Sequence, residues 1–438
     1  MMDKISDHDR RYRRAGHVSW CQDHLMISWG GVVEHRYSKP KGPNRSPSCG
    51  NSFHDPSILV TYDPMSQHWS QIQTSGDVPP HISAPSATLS SSNNLLYVYG
   101  GMNLVEQLGY WIIETSNSLY TLDVEQRQWT QLHPVKTKTK PPPAEKGVSW
   151  EYKGDIFLFG GYCEDELRVS RSDQFQVTED HHSGGVWTNH LVIYNPKENK
   201  YIQPQTKGSP PCPRAGAASC VIGDNVYIFG GRCKQRRLND LYSLDLQTMT
   251  WRQMDEGSDP DPFAPPSPSH PSPRSLHTMV NIGSNRLAVY GGLGQLCAPL
   301  NDCWILNLCQ DDHYWRELEL EYDHGEVRCW HSAAVTQYQE MILLSGFTQE
   351  YYLTRMDLDD HPEDVLHFKF GTQSLTRLAL DSVVNIMNNT HQIHHLEILP
   401  KHLHNAVIHR IAFDGVVQPS RNPPKETEYS RSRLHDGI

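Results

Sequence analysis

The chain lacks any long apolar segment and any excess of positive charge. No apolar run among its 438 residues approaches the roughly 18 positions of a membrane helix, and its first stretch, MMDKISDHDRRYRR, is polar and charged. We therefore expect no signal peptide and no membrane span. The formal net charge is −11, so electrostatics give no reason to expect a nucleic acid or an anionic membrane as partner.

Cysteine is also infrequent and shows no metal-binding spacing. The ten cysteines include no C-x-x-C pair, which predicts reduced thiols in a cytoplasmic or nuclear protein. Histidine is more abundant, and a group of histidines crowds the C-terminal region: His391, His394, His395, His402, His404 and His409. Zinc needs three or four converging ligands, and no cysteine lies near this group. We predict a solvated helical face there, and no metal or cofactor.

A short motif repeats along most of the chain. An apolar, aromatic-rich run ending in Gly-Gly recurs with its last glycine at Gly31, Gly101, Gly161, Gly231 and Gly292, and in the degenerate form MILLSG at Gly346. Roughly sixteen residues before most of these pairs lies a basic residue: Arg14, Lys146, Arg214, Arg274 or Arg328. A second alternating run and then an aromatic follow most pairs, the aromatics being Trp69, Trp129, Tyr201, Trp251 and Trp315.

This pattern predicts an all-β fold. Short apolar runs rich in Val, Ile, Tyr and Phe are typical of strands buried on both faces. Gly-Gly allows a sharp turn where strands converge and a Cβ would not fit. A unit of four short strands cannot bury its own faces, whereas several units stacked in a ring can. A β-sandwich with accidental diglycines is the alternative, and the phase of the repeats with the aromatics favours the ring.

The pattern resembles the kelch repeat, which combines a diglycine, paired aromatics and a period of about 50 residues. The resemblance implies an all-β, six-bladed kelch β-propeller over residues 12–372. After it we predict a short α-helical C-terminal segment at 373–412 and a disordered tail at 413–438. Blade six is the least regular, because its diglycine is reduced to Ser345-Gly346 and no Trp follows LHFKF. How the ring closes stays open, and completion of the last blade by an N-terminal strand is one alternative.

Up-and-down connectivity brings the loops after each diglycine and the connections between blades to one end of the ring. Binding residues of repeat proteins concentrate on such loops. We predict a binding mouth formed by Lys146, Tyr162, Trp187, Arg232, Arg237, Ser275, Leu276 and Trp330. Two Arg and one Lys favour an anionic ligand such as a carboxylate, and the aromatics supply flat walls. Each residue alone could instead be a solvated loop cation or a blade-packing aromatic.

Basic residues at strand starts have a different expected role. Arg214, Arg274 and Arg328 begin strands rather than loops. We therefore exclude them from the mouth and expect them to brace neighbouring blades.

The C-terminal segment has the periodicity of two amphipathic helices. Ser374-Leu375-x-x-x-Ala379-x-x-x-Val383 resembles the box that binds Elongin C, with Ala379 in place of the usual Cys. Leu399-Pro400-x-x-Leu403 resembles the Cullin-2 box that follows it. Such spaced apolar residues dock into grooves of partner proteins. A helical hairpin that clamps the propeller is the alternative.

The whole layout resembles the kelch-domain-containing substrate receptors of Cullin-2 RING ubiquitin ligases, closest to those that read a C-terminal diglycine degron. The matching stretches are GDVPP, EKGVSWEYKGDIFLFGGY, GGVWTNH, GGRCKQRRLNDLYSLDL, PRSLHT, RCWHSA and LPKHLHNAV. In that family two Arg and a Ser hold the substrate's terminal carboxylate, which implies this role for Arg232, Arg237 and Ser275. Other pocket positions of the family match Lys146, Tyr162 and Trp187. Leu276 departs from the family's Trp, and long polar inserts at 35–57 and 162–186 leave the exact degron preference open.

The resemblance implies a non-catalytic subunit. Its implied partners are Elongin B/C, Cullin-2 with its RING subunit, and substrate proteins that end in Gly-Gly or a similar small C-terminus. A kelch scaffold for cytoskeletal or signalling partners, without a ligase, is the second hypothesis. An enzyme would need clustered His, Tyr and Cys at the mouth, which offers Tyr162, Cys163 and Cys233 but no His pair. The sequence names no substrate protein and no oligomeric state.

Overall fold

The computed structural model describes residues 12–22, 24–38, 48–107, 110–137, 139–169, 175–180, 184–257, 267–310, 312–319, 326–348, 365–370 and 382–383. The chain divides into two compact units, Met1–Asp63 with Trp69–Gln373, and Pro64–His68 with Ser374–Ile438. The first unit holds six blades of antiparallel strands, called a to d in chain order.

Blades one to three carry inserts between strands b and c. Blade one contains β1 (Val18–Gln22), β2 (Leu25–Trp29), the inserted hairpin β3 (Val32–Ser38) and β4 (Ser48–Phe53), then β5 (Ile58–Asp63) and β6 (His68–Gln73). After β7 (Ser75–Gly76) and β8 (Ile82–Ser83), blade two contains β9 (Ser86–Leu89), β10 (Leu95–Tyr99), the inserted β11 (Met102–Gln107) and β12 (Tyr110–Thr115), then β13 (Leu119–Asp123) and β14 (Gln128–Leu132). Blade three contains β15 (Val148–Tyr152), β16 (Asp155–Phe159), the inserted β17 (Tyr162–Cys163), β18 (Val177–Glu179) and β19 (Val186–Thr188), then β20 (Leu191–Asn195) and β21 (Lys200–Ile202).

In blades four and five, strands b and c instead form long continuous hairpins. Blade four contains β22 (Ala218–Ile222), β23 (Asn225–Cys233), β24 (Arg236–Asp245) and β25 (Thr250–Asp255). Blade five contains β26 (Arg274–Ser275), β27 (Thr278–Asn281), β28 (Arg286–Gly294), β29 (Pro299–Leu308) and β30 (His313–Leu318). Blade six contains β31 (Ser332–Val335), β32 (Glu340–Leu344) and β33 (Leu366–Lys369). The short strand β26 pairs with both β24 and β28 and so joins the two long hairpins.

The core lies between the blades. Clusters of buried side chains join blade one to two, two to three, and so on through five to six, and a further cluster joins six to one. The aromatic before a diglycine packs on the strand-d aromatic of the next blade. The ring centroids of Trp29 and Trp129 are 4.8 Å apart, as are those of Phe229 and Trp315. The paired aromatics of the repeat therefore cover the faces that a single blade leaves exposed.

The second glycine of the diglycine links its blade to the next one. The Gly292 N–H donates to the carbonyl of Arg328 at 2.8 Å, and the Gly346 N–H donates to the carbonyl of Arg14 at 2.9 Å. The latter bond ties blade six to the start of blade one. A Cβ added at Gly292 would lie 2.7 Å from the Cβ of His277, so a side chain is excluded at this approach.

Blade six closes the ring despite its degenerate repeat. Ser345 replaces the first glycine and adopts a φ of +51°, and its Oγ donates to the carbonyl of Tyr12 at 2.7 Å. The described N-terminal strand β1 belongs to blade one, where it pairs with β2. Among the described residues, blade six therefore gains no strand from the N-terminus.

Arg214 and Arg274 brace strands of their own blades, which corrects the expectation that they brace neighbouring blades. Arg214 donates to both carboxylate oxygens of Asp240 at 2.6 and 2.8 Å. Arg274 binds Asp302 in the same manner at 2.7 and 2.6 Å. Each aspartate lies on strand c of the same blade as its arginine. Strand c follows the diglycine, and the carbonyl of the first glycine also accepts a hydrogen bond from that arginine. The Gly230 carbonyl accepts from Arg214 Nη1 at 2.9 Å.

Most of the predicted C-terminal boxes fall outside the described residues. Leu375, Ala379, Leu399, Pro400 and Leu403 all lie there, and their partner-binding role stays a prediction. Of that segment, Ser382 and Val383 are described, with helical backbone. The other described helix is a 3-10 turn, Glu166–Arg168. In the described part of the chain, no helix is long and apolar enough to cross a membrane.

Candidate functional site: the inner ring and the mouth

Six residues, one from each blade, form a closed ring of backbone hydrogen bonds. This inner ring consists of Gly16, Ala84, Lys146, Gly216, Leu276 and Trp330. Each N–H donates to the carbonyl of the ring residue in the preceding blade, and the Gly16 N–H returns to the Trp330 carbonyl. The donor–acceptor distances lie between 2.6 and 3.0 Å. The ring fixes the number of blades at six and defines the centre of the propeller.

All six ring residues have left-handed backbone conformations, with φ between +54° and +65°. Glycine adopts this conformation freely, whereas an L side chain there costs about 1 kcal/mol or more. Lys146, Leu276 and Trp330 carry large side chains in spite of this cost. Strained positions of this kind cluster at binding sites, and these three residues belong to the mouth predicted from the sequence.

The residues that follow the diglycines lie beside the inner ring. Each pairs with the residue just before a ring member, in the pairs Val32–Ala15, Met102–Ser83, Tyr162–Glu145, Arg232–Ala215, Leu293–Ser275 and Phe347–Cys329. The two sets of loops therefore meet at one end. The mouth has an apolar half on blades five, six, one and two, where Val32, Met102, Leu293, Trp330 and Phe347 share one cluster. Its polar half lies on blades three and four.

Arg237 is the most unusual residue of the polar half. It is 3 % exposed, and its hydrogen-bond acceptors are all neutral. Nε donates to Ser275 Oγ at 3.1 Å, Nη1 to the Gln295 carbonyl at 3.3 Å, and Nη2 to Cys297 Sγ at 3.5 Å. No carboxylate among the described residues forms an ion pair with it. A guanidinium has five N–H donors, so one remains on each terminal nitrogen.

Strand β26 positions this arginine. Leu238, the next residue on β24, is paired with Arg274 of β26, which places Ser275 beside Arg237. The tip of the blade-five hairpin holds it from the other side, since Gln295 Oε1 accepts from the Arg237 backbone N–H at 3.0 Å. The Ser275 hydroxyl accepts from Arg237 and keeps its own O–H to donate. Two terminal guanidinium N–H groups and one hydroxyl thus remain for a ligand.

The charge of Lys146 is compensated within the mouth. Its Nζ lies 2.9 Å from Oε1 of the buried Glu145 and 5.2 Å from the centre of the Trp330 ring. The indole is itself 5 % exposed and packs with Phe347. The Lys146 side chain therefore contacts the Trp330 ring across the inner ring. The Glu145 carboxylate offsets the positive charge of Lys146 on blade three. The remaining attraction for an anion is concentrated on blade four.

Tyr162 and Trp187 form a cross-strand pair in the blade-three insert. They lie opposite each other on β17 and β19, with ring centroids 5.1 Å apart. Trp187 is buried, whereas Tyr162 keeps part of its surface exposed. Arg232 lies opposite Arg237 on the blade-four hairpin, and its Nε donates to the Lys234 carbonyl at 2.6 Å. The structure thus brings the eight predicted residues to one end, with both tryptophans buried in the walls.

Sequence reasoning missed several residues of the mouth. Met102, Leu293 and Phe347 follow diglycines in register, and applying the repeat to every blade would have found them. No repeat signal marks Gln295 or Cys297, because the tips of the hairpins differ from blade to blade.

The mouth cysteine Cys163 is not in a reactive form. Burial raises the pKa of the Cys163 thiol to about 11, so this thiol stays protonated near neutral pH. Within the part of the chain that the structure describes, no group of three or more His, Cys, Asp or Glu side chains could hold a metal ion.

Comparison with protein families identifies the repeat. Residues 16–263 and 178–394 match the family described as the KLHDC2/KLHL20/DRC7 Kelch-repeats domain. Mouse Kelch domain-containing protein 1 is 30 % identical over 438 residues, which covers 96 % of this chain and 96 % of that protein. Bovine Kelch domain-containing protein 2 is 29 % identical, with 91 % of this chain and 90 % of that protein covered.

A solved structure agrees with the fold. The structure of YjhT superposes with a TM-score of 0.54 at 13 % identity, covering 82 % of this chain and 95 % of that one. At this identity the similarity concerns the fold alone.

Proposed function

Because the chain belongs to the KLHDC2/KLHL20/DRC7 kelch-repeat family, we propose that it is a non-catalytic receptor that binds the C-terminal carboxylate of partner proteins at its mouth. The observation that carries the proposal is the buried Arg237, which has no carboxylate partner among the described residues. An uncompensated buried charge is costly. A bound carboxylate would supply the missing charge through bidentate, charge-assisted hydrogen bonds.

We also propose that the ligand ends in a small residue. The Ser275 hydroxyl, which accepts from Arg237 Nε at 3.1 Å, would donate to the second carboxylate oxygen. In the receptors that the sequence resembles, such a site reads Gly-Gly. We extend this ligand class to the present chain.

We further propose that the bound protein is passed to a Cullin-2 ligase through Elongin B/C, in the cytoplasm or the nucleus. Support comes from the sequence of the C-terminal boxes around Leu375 and Pro400. A scaffold for cytoskeletal or signalling partners would use the same mouth without these boxes. Co-purification of Elongin B/C with the full chain, and its loss in a Leu375→Ala, Pro400→Ala double variant, would favour the ligase subunit over the scaffold.

The binding proposal is tested with a fluorescent peptide that ends in free Gly-Gly, beside its C-terminally amidated twin. We expect binding of the free acid alone, and its loss in Arg237→Met. The matched control is Arg252→Met, because Arg252 is an exposed arginine on strand d of the same blade. Equal binding of acid and amide, or equal effects of the two substitutions, would contradict a carboxylate site at Arg237.

A further inference from the structure

Two cysteines beside the mouth form a pair that the proposed function does not use. Cys212 lies in the connection from blade three to blade four, and Cys233 lies near the tip of the blade-four hairpin. The backbone pair Ala215–Arg232, with hydrogen bonds of 3.0 and 2.8 Å, aligns the segment that follows Cys212 with the strand that ends at Cys233. The two thiols interact with each other, and both residues keep part of their surface exposed. A disulfide can join such neighbouring thiols when their Cα atoms come within about 7 Å.

The surroundings of Cys212 favour its thiolate. Arg214 Nη2 donates to Cys212 Sγ at 3.3 Å, while the same guanidinium remains bound to Asp240. The hydrogen bond from Cys233 is the main cause that lowers the pKa of Cys212, and the nearby Arg214 charge acts in the same direction. A low-pKa thiolate with a second thiol at hand is the arrangement found in peroxide-sensitive cysteine pairs.

The backbone holds Cys212 in place. It lies between Pro211 and Pro213, whose rings fix their own φ angles. The Pro211 carbonyl accepts from Asn189 Nδ2 at 2.8 Å, and the Cys212 carbonyl accepts from Arg214 Nε at 3.1 Å. The partner thiol lies on a hairpin tip, so Cys233 is the member of the pair that can move.

Four other cysteines of the described chain lack these features. Burial is the main cause that raises the pKa of Cys220, Cys303 and Cys329 to about 12, which leaves them protonated near neutral pH. Cys309 is exposed and serves as a reference for simple accessibility. Reactivity should therefore be selective for Cys212.

We propose that Cys212 and Cys233 are a peroxide-reactive dithiol whose oxidation fixes the hairpin that carries Arg232 and Arg237. The Cys212 thiolate attacks one oxygen of hydrogen peroxide, the O–O bond breaks, and hydroxide leaves to give Cys212 sulfenic acid. The Cys233 thiol then attacks this sulfur, the S–O bond breaks, and water leaves as the disulfide forms. Two electrons pass from the two sulfurs to one peroxide, and a thiol reductant reverses the change.

The disulfide would act on the mouth through the chain. Cys233 directly follows Arg232 and lies opposite Arg236 on the hairpin, so a bond to Cys212 ties the hairpin tip to the connection between the blades. Arg214 would lose one acceptor and keep Asp240. We expect the oxidised protein to bind the free Gly-Gly peptide at least about fivefold more weakly, the lower end of common coupling between sites. This readout alone rests on the proposed function.

The first experiment treats the full chain with hydrogen peroxide and maps its peptides by mass spectrometry. A Cys212–Cys233 linked peptide, lighter by about 2 Da than the two reduced peptides together, is the expected result. It should persist in Cys309→Ser and disappear on dithiothreitol treatment. Preferential oxidation of Cys309, or no linked peptide, would overturn the dithiol.

The second experiment separates the two roles. In Cys233→Ser, dimedone should trap a sulfenic acid at Cys212, whereas Cys212→Ser should leave Cys233 unlabelled. Intrinsic tryptophan fluorescence of the reduced variants checks that both are folded, and faster iodoacetamide labelling of Cys212 than of Cys309 in the unsubstituted chain tests the thiolate without any substitution. If the disulfide forms and peptide affinity is unchanged, the coupling to the mouth is wrong. If the reduced protein binds no peptide, the proposed function fails while the dithiol remains established by mass.

Discussion

Arg214 and Arg274 on one side, and Arg237 on the other, are buried arginines with opposite electrostatic situations. The first two each bind both oxygens of an aspartate on their own blade. Arg237 is equally inaccessible but bonds to a serine, a backbone carbonyl and a thiol. Burial alone does not separate a structural arginine from a binding one. The presence or absence of a counter-charge does, and under the proposed function a ligand carboxylate would supply the charge that Arg237 lacks.

Removing the counter-charge of a structural arginine should have the largest effect on stability. Asp240→Ala leaves Arg214 buried without its carboxylate, and we expect a loss of about 3–5 kcal/mol in the free energy of unfolding. Urea denaturation measures it. Glu198→Ala, which removes an exposed pair with Lys200, should cost less than about 1 kcal/mol. Similar losses in both variants would remove the distinction between buried and surface pairs.

Arg237, the arginine proposed to bind the ligand, should behave in the opposite way. In Arg237→Met we expect the free energy of unfolding without ligand to fall by no more than about 1 kcal/mol or to rise, because a buried charge is replaced by an apolar chain. Affinity for the free Gly-Gly peptide should fall about 100-fold, as expected for the loss of a buried charged contact worth about 3 kcal/mol. Denaturation and peptide titration of the same sample give both values. A destabilisation as large as that of Asp240→Ala would make Arg237 structural.

His331 shows a third solution, in which a buried group stays neutral. Burial, followed by the charge of Arg328, lowers its pKa to about 3. Between pH 6.5 and 3 the unfolded chain therefore binds more protons than the folded one, and stability is lost as the pH falls through this window. At pH 5 the loss is about 2 kcal/mol relative to pH 7.5. Denaturation of His331→Gln at both pH values should show a pH dependence smaller by this amount, with the same substitution at the exposed His24 as the matched control.

The smallest effect is expected in the inner ring itself. Gly216→Ala places a Cβ 3.1 Å from the Leu276 Cδ2 in left-handed backbone, which should cost about 1 kcal/mol, as for the ring residues that already carry side chains. Gly223→Ala has a similar φ and open space around it, so thermal unfolding of the two should shift alike. A loss of several kcal/mol at Gly216 alone would mean that the ring does not accept side chains at every blade.

The repeats carry most of the information on the fold. The phase of the diglycines and aromatics predicted six blades, and loop topology placed Ser275 and Arg237 at one end. Sequence could not show that Arg237 lacks a carboxylate, because Asp240 and Asp302 become partners of other arginines only through strand pairing. Nor could it show the left-handed backbone of Lys146, Leu276 and Trp330, since non-glycine residues carry no local signal for that conformation. The hairpin tips with Gln295 and Cys297 follow no repeat and need coordinates.

In the inner ring, the backbone atoms hold the propeller together, and the side chains are left to face a ligand. Its hydrogen bonds use backbone atoms only, and its left-handed geometry already accommodates glycine, alanine, lysine, leucine and tryptophan. Four of the six ring positions already carry a side chain, and Gly216 has room for one at a cost of about 1 kcal/mol without breaking a bond of the ring. Gly16 is the exception, because a Cβ there would clash with Ser83 Oγ. Ligand preference in such a propeller can drift one blade at a time while the architecture stays constant, which makes the ring a natural place to redesign specificity.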